Sequence, residues 1–246
     1  LMAGQSGKRA SEAVGNWLAA FETALNGPDP ASAEALFHPD GYWRDLLAFT
    51  WRIQTVHGAA EIVDGLKRHA SGADARDFAI DAGCTPPRAV TRAGTEAIEA
   101  IFAFETAKGP ANGVVRLVPD EADNSRMKAW TLMTALADIR GFEENVGTAR
   151  PTGEVWSRDF RGPNWLDARR TAIAYAGHDP EVLVVGGGQA GLSIAARLTQ
   201  LDVDTLIVDR EQRIGDNWRN RYHALVLHNQ VHVNHLPYMP FPPNWP

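Results

Sequence analysis

The sequence predicts an α+β domain followed by the first βαβ unit of a parallel α/β sheet. Three observations carry that prediction. Near the N-terminus Val14, Trp17, Leu18, Phe21 and Leu25 recur at spacings of three and four, the period of an amphipathic helix. Beyond residue 89 the pattern changes to long extended stretches divided by turn residues. From Glu181 a continuous apolar run enters a glycine-rich turn, then a helical pattern, then a second apolar run that ends on Asp209.

The α+β part is expected over residues 11–146, behind a disordered lead at 1–10. Asn26-Gly27-Pro28 stops the first helix. Asp29-Pro30 opens a second, with aspartate as N-cap and proline in the first turn. That helix is expected to bury Ala33, Leu36 and Phe37 and to end at His38-Pro39-Asp40-Gly41. Residues 42–51 are aromatic-rich and extended in character. A short helix is expected over 59–68. Three long strands come next, at 97–106, 113–118 and 127–136, the last with Trp130, Leu132, Thr134 and Leu136 on one face. Residues 108–113 and 119–124 supply the hairpin turns. Helices followed by an antiparallel meander make an α+β domain.

Residues 147–180 read as an ordered linker punctuated by proline and glycine. One helix is expected at 164–175, with Trp156 and Trp165 packed against a neighbouring domain. The last region, 181–246, opens on Val182-Leu183-Val184-Val185, the type of run a parallel strand buried on both faces shows. Thr205-Leu206-Ile207-Val208-Asp209 is its partner strand. Only two strands and one crossover helix can be read here, so one side of the first strand is expected to be bare.

Composition narrows the functional classes. The chain has 246 residues, 44% hydrophobic and 22% charged, with a net charge of −6. That profile fits a globular protein and excludes a basic nucleic-acid-binding surface. A single cysteine, Cys84, excludes an internal disulfide, a CxxC redox pair and a cysteine cluster for zinc or iron–sulfur within this chain. No apolar run reaches the ~18 residues of a membrane span. The first residues lack the apolar core of a secretory leader, so a cytoplasmic location is expected. The first residue is not methionine, and the native N-terminus is expected to lie upstream.

The chemistry-bearing motif is Gly186-x-Gly188-x-x-Gly191 in its full βαβ context. Gly186 permits the tight turn. Gly188 lets the backbone approach a pyrophosphate, and Gly191 lets helix and strand pack closely. The helix N-terminus offers free N–H groups, those of Gln189 and Ala190 among them, to phosphate. Asp209, at the end of the second strand, can accept from a ribose 2′-hydroxyl and would repel a 2′-phosphate. FAD or NAD is therefore expected at this site rather than NADP.

The residues after Asp209 narrow the choice. Asp209-Arg210-Glu211-Gln212-Arg213-Ile214-Gly215-Asp216-Asn217-Trp218-Arg219 resembles the stretch in flavin-containing monooxygenases where an acidic strand end precedes a Gly-Gly-x-Trp turn. Asp216 stands where that turn has its second glycine. The segments at 222–229 and 236–246 also resemble this family, in its plant auxin-biosynthetic and bacterial branches. The resemblance covers roughly 181–246. It implies FAD held by Gly186, Gly188, Gln189, Ala190, Gly191, Asp209 and Arg210, with Asn217, Trp218, His228 and Asn229 near the flavin. It further implies that NADPH reduces the flavin, at a second dinucleotide site absent from these residues. A C4a-(hydro)peroxyflavin would then oxygenate a small organic substrate. The chain is expected to be the front part of such an enzyme, inactive alone. His228, His232 and His235 lack the spacing of a helix-borne ligand pair, so no metal is expected. The proline-rich residues 237–246 read as a rigid wrap.

The first domain is similar in pattern to the nuclear-transport-factor-2-like (SnoaL-like) cone. That likeness implies an apolar pocket, and Asp45, His38, His57 and Tyr42 are the residues that could form an acid–base pair in it. A structural or docking role is the favoured reading, because fold likeness alone does not establish a site. Three alternatives stay open: a flavin or pyridine-nucleotide oxidoreductase without oxygen transfer, an isomerase or cyclase site in the cone, and a homodimerisation module.

Overall fold

The structure, a computed structural model, describes residues 2–123, 126–150, 161–226 and 228–244. Side chains are described from Gly7 onward within those spans, except that of His232. The chain divides into two compact units, Leu1–Phe142 and Glu143–Pro246. Trp156, Trp245 and residues 151–160 of the expected linker fall outside the described residues.

In the first unit, α1 spans Met2–Asn26. The expected disordered lead is thus helical from Met2. The reason lies in the buried face: Ala10 continues the stripe of Val14, Trp17, Leu18, Phe21 and Leu25 back by one turn, and all six are buried. The helix ends where Lys67 donates to the carbonyls of Ala24 and Gly27, satisfying oxygens that have no partner in the helix. Asp29 caps α2 (Pro30–Glu34) by accepting from the Ala31 N–H at 3.1 Å. This helix is shorter than expected. Phe37 belongs instead to β1 (Phe37–Leu46), and His38-Pro39-Asp40-Gly41 lies inside that strand. Pro39 has no N–H for a ladder, and the register against the neighbouring strand breaks between Phe37 and Tyr42 to accommodate it.

The remaining elements are β2 (Ile53–His57), α3 (Ala59–Ala73), β3 (Arg76–Ile80), β4 (Arg88–Arg92), β5 (Thr95–Thr106), β6 (Gly109–Pro119) and β7 (Met127–Leu136). Helix α3 runs beyond the expected end because Ala70 and Ala73 favour it, and Asp74 stops it in the left-handed region. The β5–β6 turn is tighter than expected. Buried Thr106 donates to the Gly109 carbonyl and accepts from the N–H groups of Lys108 and Gly109, so Gly109 to Asn112 are strand residues. The sheet order is β2-β1-β7-β6-β5-β3, with β4 also on β5, and only β1–β7 is parallel. In β7 the ladder skips Trp130, so Ala129, Leu132 and Thr134 are buried while Trp130 is only half-buried. The expected single face of Trp130, Leu132, Thr134 and Leu136 breaks at this bulge. Strands β2, β3 and β4 have no counterpart in the sequence reading. The whole is an α+β cone, helices against the inner face of a curved sheet.

In the second unit, α4 (Trp165–Ala174) follows an Asn164 N-cap and ends at Tyr175 in the left-handed region. Trp165 is 76% exposed, so it does not pack as expected; the Arg169 guanidinium lies over its ring instead. The parallel pair β8 (Val182–Val185) and β9 (Thr205–Val208) is linked by α5 (Gln189–Gln200). Val184 faces α5, against Gly191. Leu183 and Val185 point the other way and are 55% and 81% exposed. Burial on both faces is therefore not found for β8, and among the described residues β8 pairs with β9 alone. Helix α6 (Asp216–Arg219) follows β9. Residues 143–146 belong to this unit through Asn145, whose N–H donates to the Gln200 carbonyl at 2.7 Å. No described helix is long and apolar enough to cross a membrane.

Candidate functional site

The glycine-rich turn sits at the carboxyl ends of β8 and β9, where parallel sheets place their ligands. Gly186 has φ of +111° and donates its N–H to the Val208 carbonyl at 2.8 Å. A left-handed turn of this kind is strained for any residue with a Cβ. Gly188 is the N-cap of α5, and no side chain caps that helix. Its first N–H groups have no helical partner and face outward with the positive end of the dipole. Gly191 meets a different demand: a Cβ there would sit 1.8 Å from the Gly186 carbonyl oxygen, so only glycine lets the first turn of α5 lie on the loop.

Asp209 directly follows β9. Its carboxylate accepts from the Gly187 N–H at 2.5 Å and from the Glu211 N–H at 2.7 Å. Those N–H bonds, Glu211 first and Gly187 second, hold the carboxyl below the usual aspartate range, so it is ionised at neutral pH. A carboxylate has about four acceptor positions, which leaves room for a ribose hydroxyl. Arg210 extends into solvent and pairs with Glu211.

Helix α6 resolves the turn in which Asp216 replaces a glycine. The left-handed residue is Gly215, at φ +89°, and Asp216 begins the helix with ordinary geometry. Asp216 is buried, and its carboxylate is held by Arg219 at 2.7 Å and Arg213 at 3.3 Å. Arg219 foremost, then Arg213, depresses its pKa. This clamp orients the next two residues, Asn217 and Trp218. The Arg221 guanidinium covers the Trp218 ring at 4.9 Å.

Two cavities flank the loop. One, of about 440 Å³, is lined by Val185, Gly186, Val208, Asp209, Arg210, Glu211 and Asn217. The other, of about 600 Å³, is walled by Gly187, Gly188, Gln189, Asn217, Trp218, Tyr222, His228, Asn229 and Phe241 among others. Of the residues expected to bind cofactor, Gly186, Gly188, Gln189, Asp209, Arg210, Asn217, Trp218, His228 and Asn229 therefore line one cavity or both. Ala190 and Gly191 lie in the helix turn behind them. Sequence reasoning missed Gly187, whose N–H fixes Asp209, and Tyr222, His235 and Phe241 in the larger wall. Gly187 was visible as the middle of three glycines; the aromatic residues had no spacing to mark them. His235 accepts from the Phe241 N–H at 3.0 Å through Nδ1. Among the described residues no group of three metal-ligating side chains gathers.

The donor set suits a dinucleotide: outward N–H groups for phosphate, a carboxylate for ribose, and a glycine cradle that a Cβ on Gly187 or Gly188 would begin to fill, at 3.3 Å from Asp209 and 3.4 Å from Asn217.

The cone candidates do not form one site. Asp45 is fully buried on the inner face, with Trp43. Its carboxylate accepts from Phe49 N–H, Thr50 N–H, the Thr50 hydroxyl and the Thr134 hydroxyl. Tyr42 and His57 sit opposite each other on β1 and β2, exposed, with rings stacked at 4.4 Å. His57 Nε2 lies 2.5 Å from Asp40, and His38 accepts from the Asp40 N–H. In the interior of the first unit Phe49, Phe78, Phe102 and Phe104 are buried with centroids 4.6–6.1 Å apart.

Residues 184–243 match the NAD(P)-binding Rossmann-like domain. The chain is 47% identical over 62 residues to "Uncharacterized oxidoreductase CzcO-like" of Geobacillus kaustophilus, covering 25% of this chain and 18% of that protein. It is 40% identical over 68 residues to the probable indole-3-pyruvate monooxygenase YUCCA4 of Arabidopsis thaliana, covering 27% and 16%. An uncharacterized protein with a cystatin-like fold from Caulobacter vibrioides is 17% identical, covering 53% of this chain and 91% of that one at a TM-score of 0.35. The chain thus spans less than a fifth of the length of the curated relatives it matches, and its second unit carries a Rossmann-like βαβ segment similar to theirs.

Proposed function

We propose that the second unit binds FAD and that the chain serves a flavin-dependent, NADPH-using monooxygenase-like oxidoreductase acting on a small organic substrate. The observation that carries this reading is the meeting of two cavities at an uncapped helix N-terminus, with an ionised carboxylate in the smaller one. The adenosine half fits the cavity beside Asp209, which would accept from its ribose. The ring half fits the cavity walled by Trp218, Tyr222 and Phe241, where aromatic faces exclude water from an apolar ring system. FAD, when bound, supplies the redox chemistry, and the protein supplies position and electrostatics. The negative charge of Asp209 disfavours a 2′-phosphate, so NADPH belongs at another site. The similarity to a probable monooxygenase supports the oxygen-transfer reading, and the similarity to uncharacterized oxidoreductases supports redox chemistry.

The test is equilibrium binding of FAD and NAD to the 246-residue protein, wild type and Asp209→Ala. The expected result is a bound flavin spectrum, and an affinity loss of about tenfold or more (~1.4 kcal/mol) in the variant. Binding of NAD with no uptake of FAD would transfer the site to a pyridine nucleotide. Binding of neither would refute a dinucleotide site.

A further inference from the structure

We propose that the outer face of the sheet in the first unit binds a phosphate monoester, its dianion held by Arg88, Arg92 and Arg116 and its ester group resting on Ile101 and Val114. Ala100, Phe102 and Phe104 of β5 belong to the core, so Glu99 and Ile101 face the other way. On that face Glu99 gathers three arginines: Arg88 and Arg92 from β4 at 3.5 and 2.9 Å, and Arg116 from β6 at 2.8 Å. Three guanidinium charges meet one carboxylate, which leaves a surplus of two positive charges at one spot of a chain whose net charge is −6. Glu96, the acid three positions before Glu99, lies on the opposite face of the β4–β5 ladder and takes the Thr91 hydroxyl. The side chains of Arg88, Arg92 and Arg116 are 56%, 44% and 32% exposed, whereas Glu99 is largely covered. The carboxylate thus fixes the three guanidiniums at their inner edges and leaves the outer edges open.

Glu99 uses few of the donors it assembles. A guanidinium carries five N–H groups. Arg116 spends its Nε on Glu99, Arg92 its Nε and Nη2, and Arg88 its Nη2. Among the described residues both Nη groups of Arg116, Nη1 of Arg92 and the Nε and Nη1 of Arg88 have no partner. A phosphate monoester matches what is left over: a charge of about −1.5 to −2 at neutral pH and three acceptor oxygens. Planar guanidinium forks suit those oxygens, and arginines already held in place lose little freedom on binding them. The residues beside the cluster set what the phosphate is attached to. Ile101 and Val114 stand opposite each other on the same face, two positions along from Glu99 and Arg116, and both are half-buried. Val90, between the two arginines of β4, is half-buried as well. An apolar floor beside a cationic cluster fits an aryl or alkyl phosphate better than the bare anion.

The experiment titrates phenyl phosphate, and separately inorganic phosphate, into the 246-residue protein at neutral pH and constant ionic strength, so that screening stays fixed. Backbone amide and arginine Nε–H resonances report where each probe binds. With phenyl phosphate the signals of Arg92, Arg116 and their strands should move together and saturate, with a Kd of about 1 mM or tighter, as two or three charge-assisted hydrogen bonds provide. Inorganic phosphate should bind at the same place at least about threefold more weakly, for want of the apolar contact. Arg116→Gln and the more exposed Arg88→Gln should each weaken phenyl phosphate by about fivefold or more, whereas Arg140→Gln, which removes an exposed arginine paired with Glu105 outside the cluster, should leave it unchanged. Thermal midpoints establish that each variant folds. The absence of saturable shifts in β4, β5 and β6 would overturn the proposal, and so would equal affinity in folded Arg116→Gln and Arg88→Gln; the arginines would then serve only to hold β4. Shifts confined to residues 186–190 would place phosphate at the glycine loop alone, which overturns the proposal and leaves the FAD reading standing. Inorganic phosphate binding as tightly as phenyl phosphate would overturn the monoester assignment in favour of the bare anion.

Discussion

Asp45 and Asp209 are the same residue type in opposite circumstances. Asp209 is exposed, keeps acceptor positions open and stands at a cavity, which is what a ligand-binding carboxylate requires. Asp45 is wholly buried, and its carboxylate is saturated by backbone N–H groups and hydroxyls. One of those hydroxyls, Thr134, also accepts from the Trp43 indole N–H at 3.0 Å, so a single buried network joins β1, β7 and the 47–51 loop. That loop needs the anchor: Leu47 and Trp51 have φ of 71° and 57°, costly for residues with a Cβ, while Phe49 between them is driven into the core. Asp45 therefore clamps this loop to the sheet. Asp45→Asn removes the charge from every one of these bonds and turns one acceptor oxygen into a donor facing donors. It should cost on the order of 3 kcal/mol of stability, read as a shift of the urea midpoint. An unchanged midpoint would sink the clamp. The sequence marked Asp45 only as an acid among aromatic residues; its decisive partner, Thr134, is 89 positions away, beyond any local pattern.

At the level of elements, what could be read from the sequence depended on length and period. Strands β5, β6 and β7 and helix α1 carry long apolar repeats and were legible, as was the βαβ unit, whose glycines and Asp209 are tied to a fixed geometry. The five-residue strands β2, β3 and β4 were not, because their side chains are largely exposed and tertiary pairing alone orders them. For β4 ion pairs reinforce that backbone ladder. Glu99 on β5 takes Arg88 and Arg92 from β4 and Arg116 from β6, and is itself 13% exposed. Arg92 foremost, with Arg116, lowers its pKa from 4.5 to about 2. A depressed folded-state pKa means stability that is complete above the unfolded value and lost as pH falls through the folded one. Glu99 should therefore contribute on the order of 2 kcal/mol above about pH 4.5 and progressively less toward pH 2, the partly exposed arginines limiting its size. Thermal midpoints measured across that window should fall less steeply in Glu99→Gln than in wild type. Parallel curves would show that β4 is held by something else.

Across the whole molecule the two units differ most in what they bury. The first has a continuous core of aromatic and aliphatic side chains, from Val14 in α1 to Leu132 in β7. In the second, Ala195 is the one hydrophobic residue among those described that is buried. Leu183, Val185 and Val208 of the strands and Ile194 of α5 are all substantially exposed, though apolar. Apolar burial is the main favourable term in folding, at roughly 25 cal/mol per Å², so the second unit must hold its structure by a smaller margin. Its stability then depends strongly on anything that binds the folded form. Hydrogen exchange measures this strand by strand. Amides of β5 and β6, paired around Val115 and Leu117, should be protected close to the global limit, whereas those of β8 and β9 should exchange orders of magnitude faster. FAD at a hundredfold excess over its Kd should slow β8 and β9 by about 2.7 kcal/mol and leave β5 and β6 unmoved. Equal protection in the two sheets without ligand would mean that the exposed face of β8 is covered in solution. Protection that rises in both sheets on adding FAD would mean that the ligand acts on the cone as well as on the glycine loop.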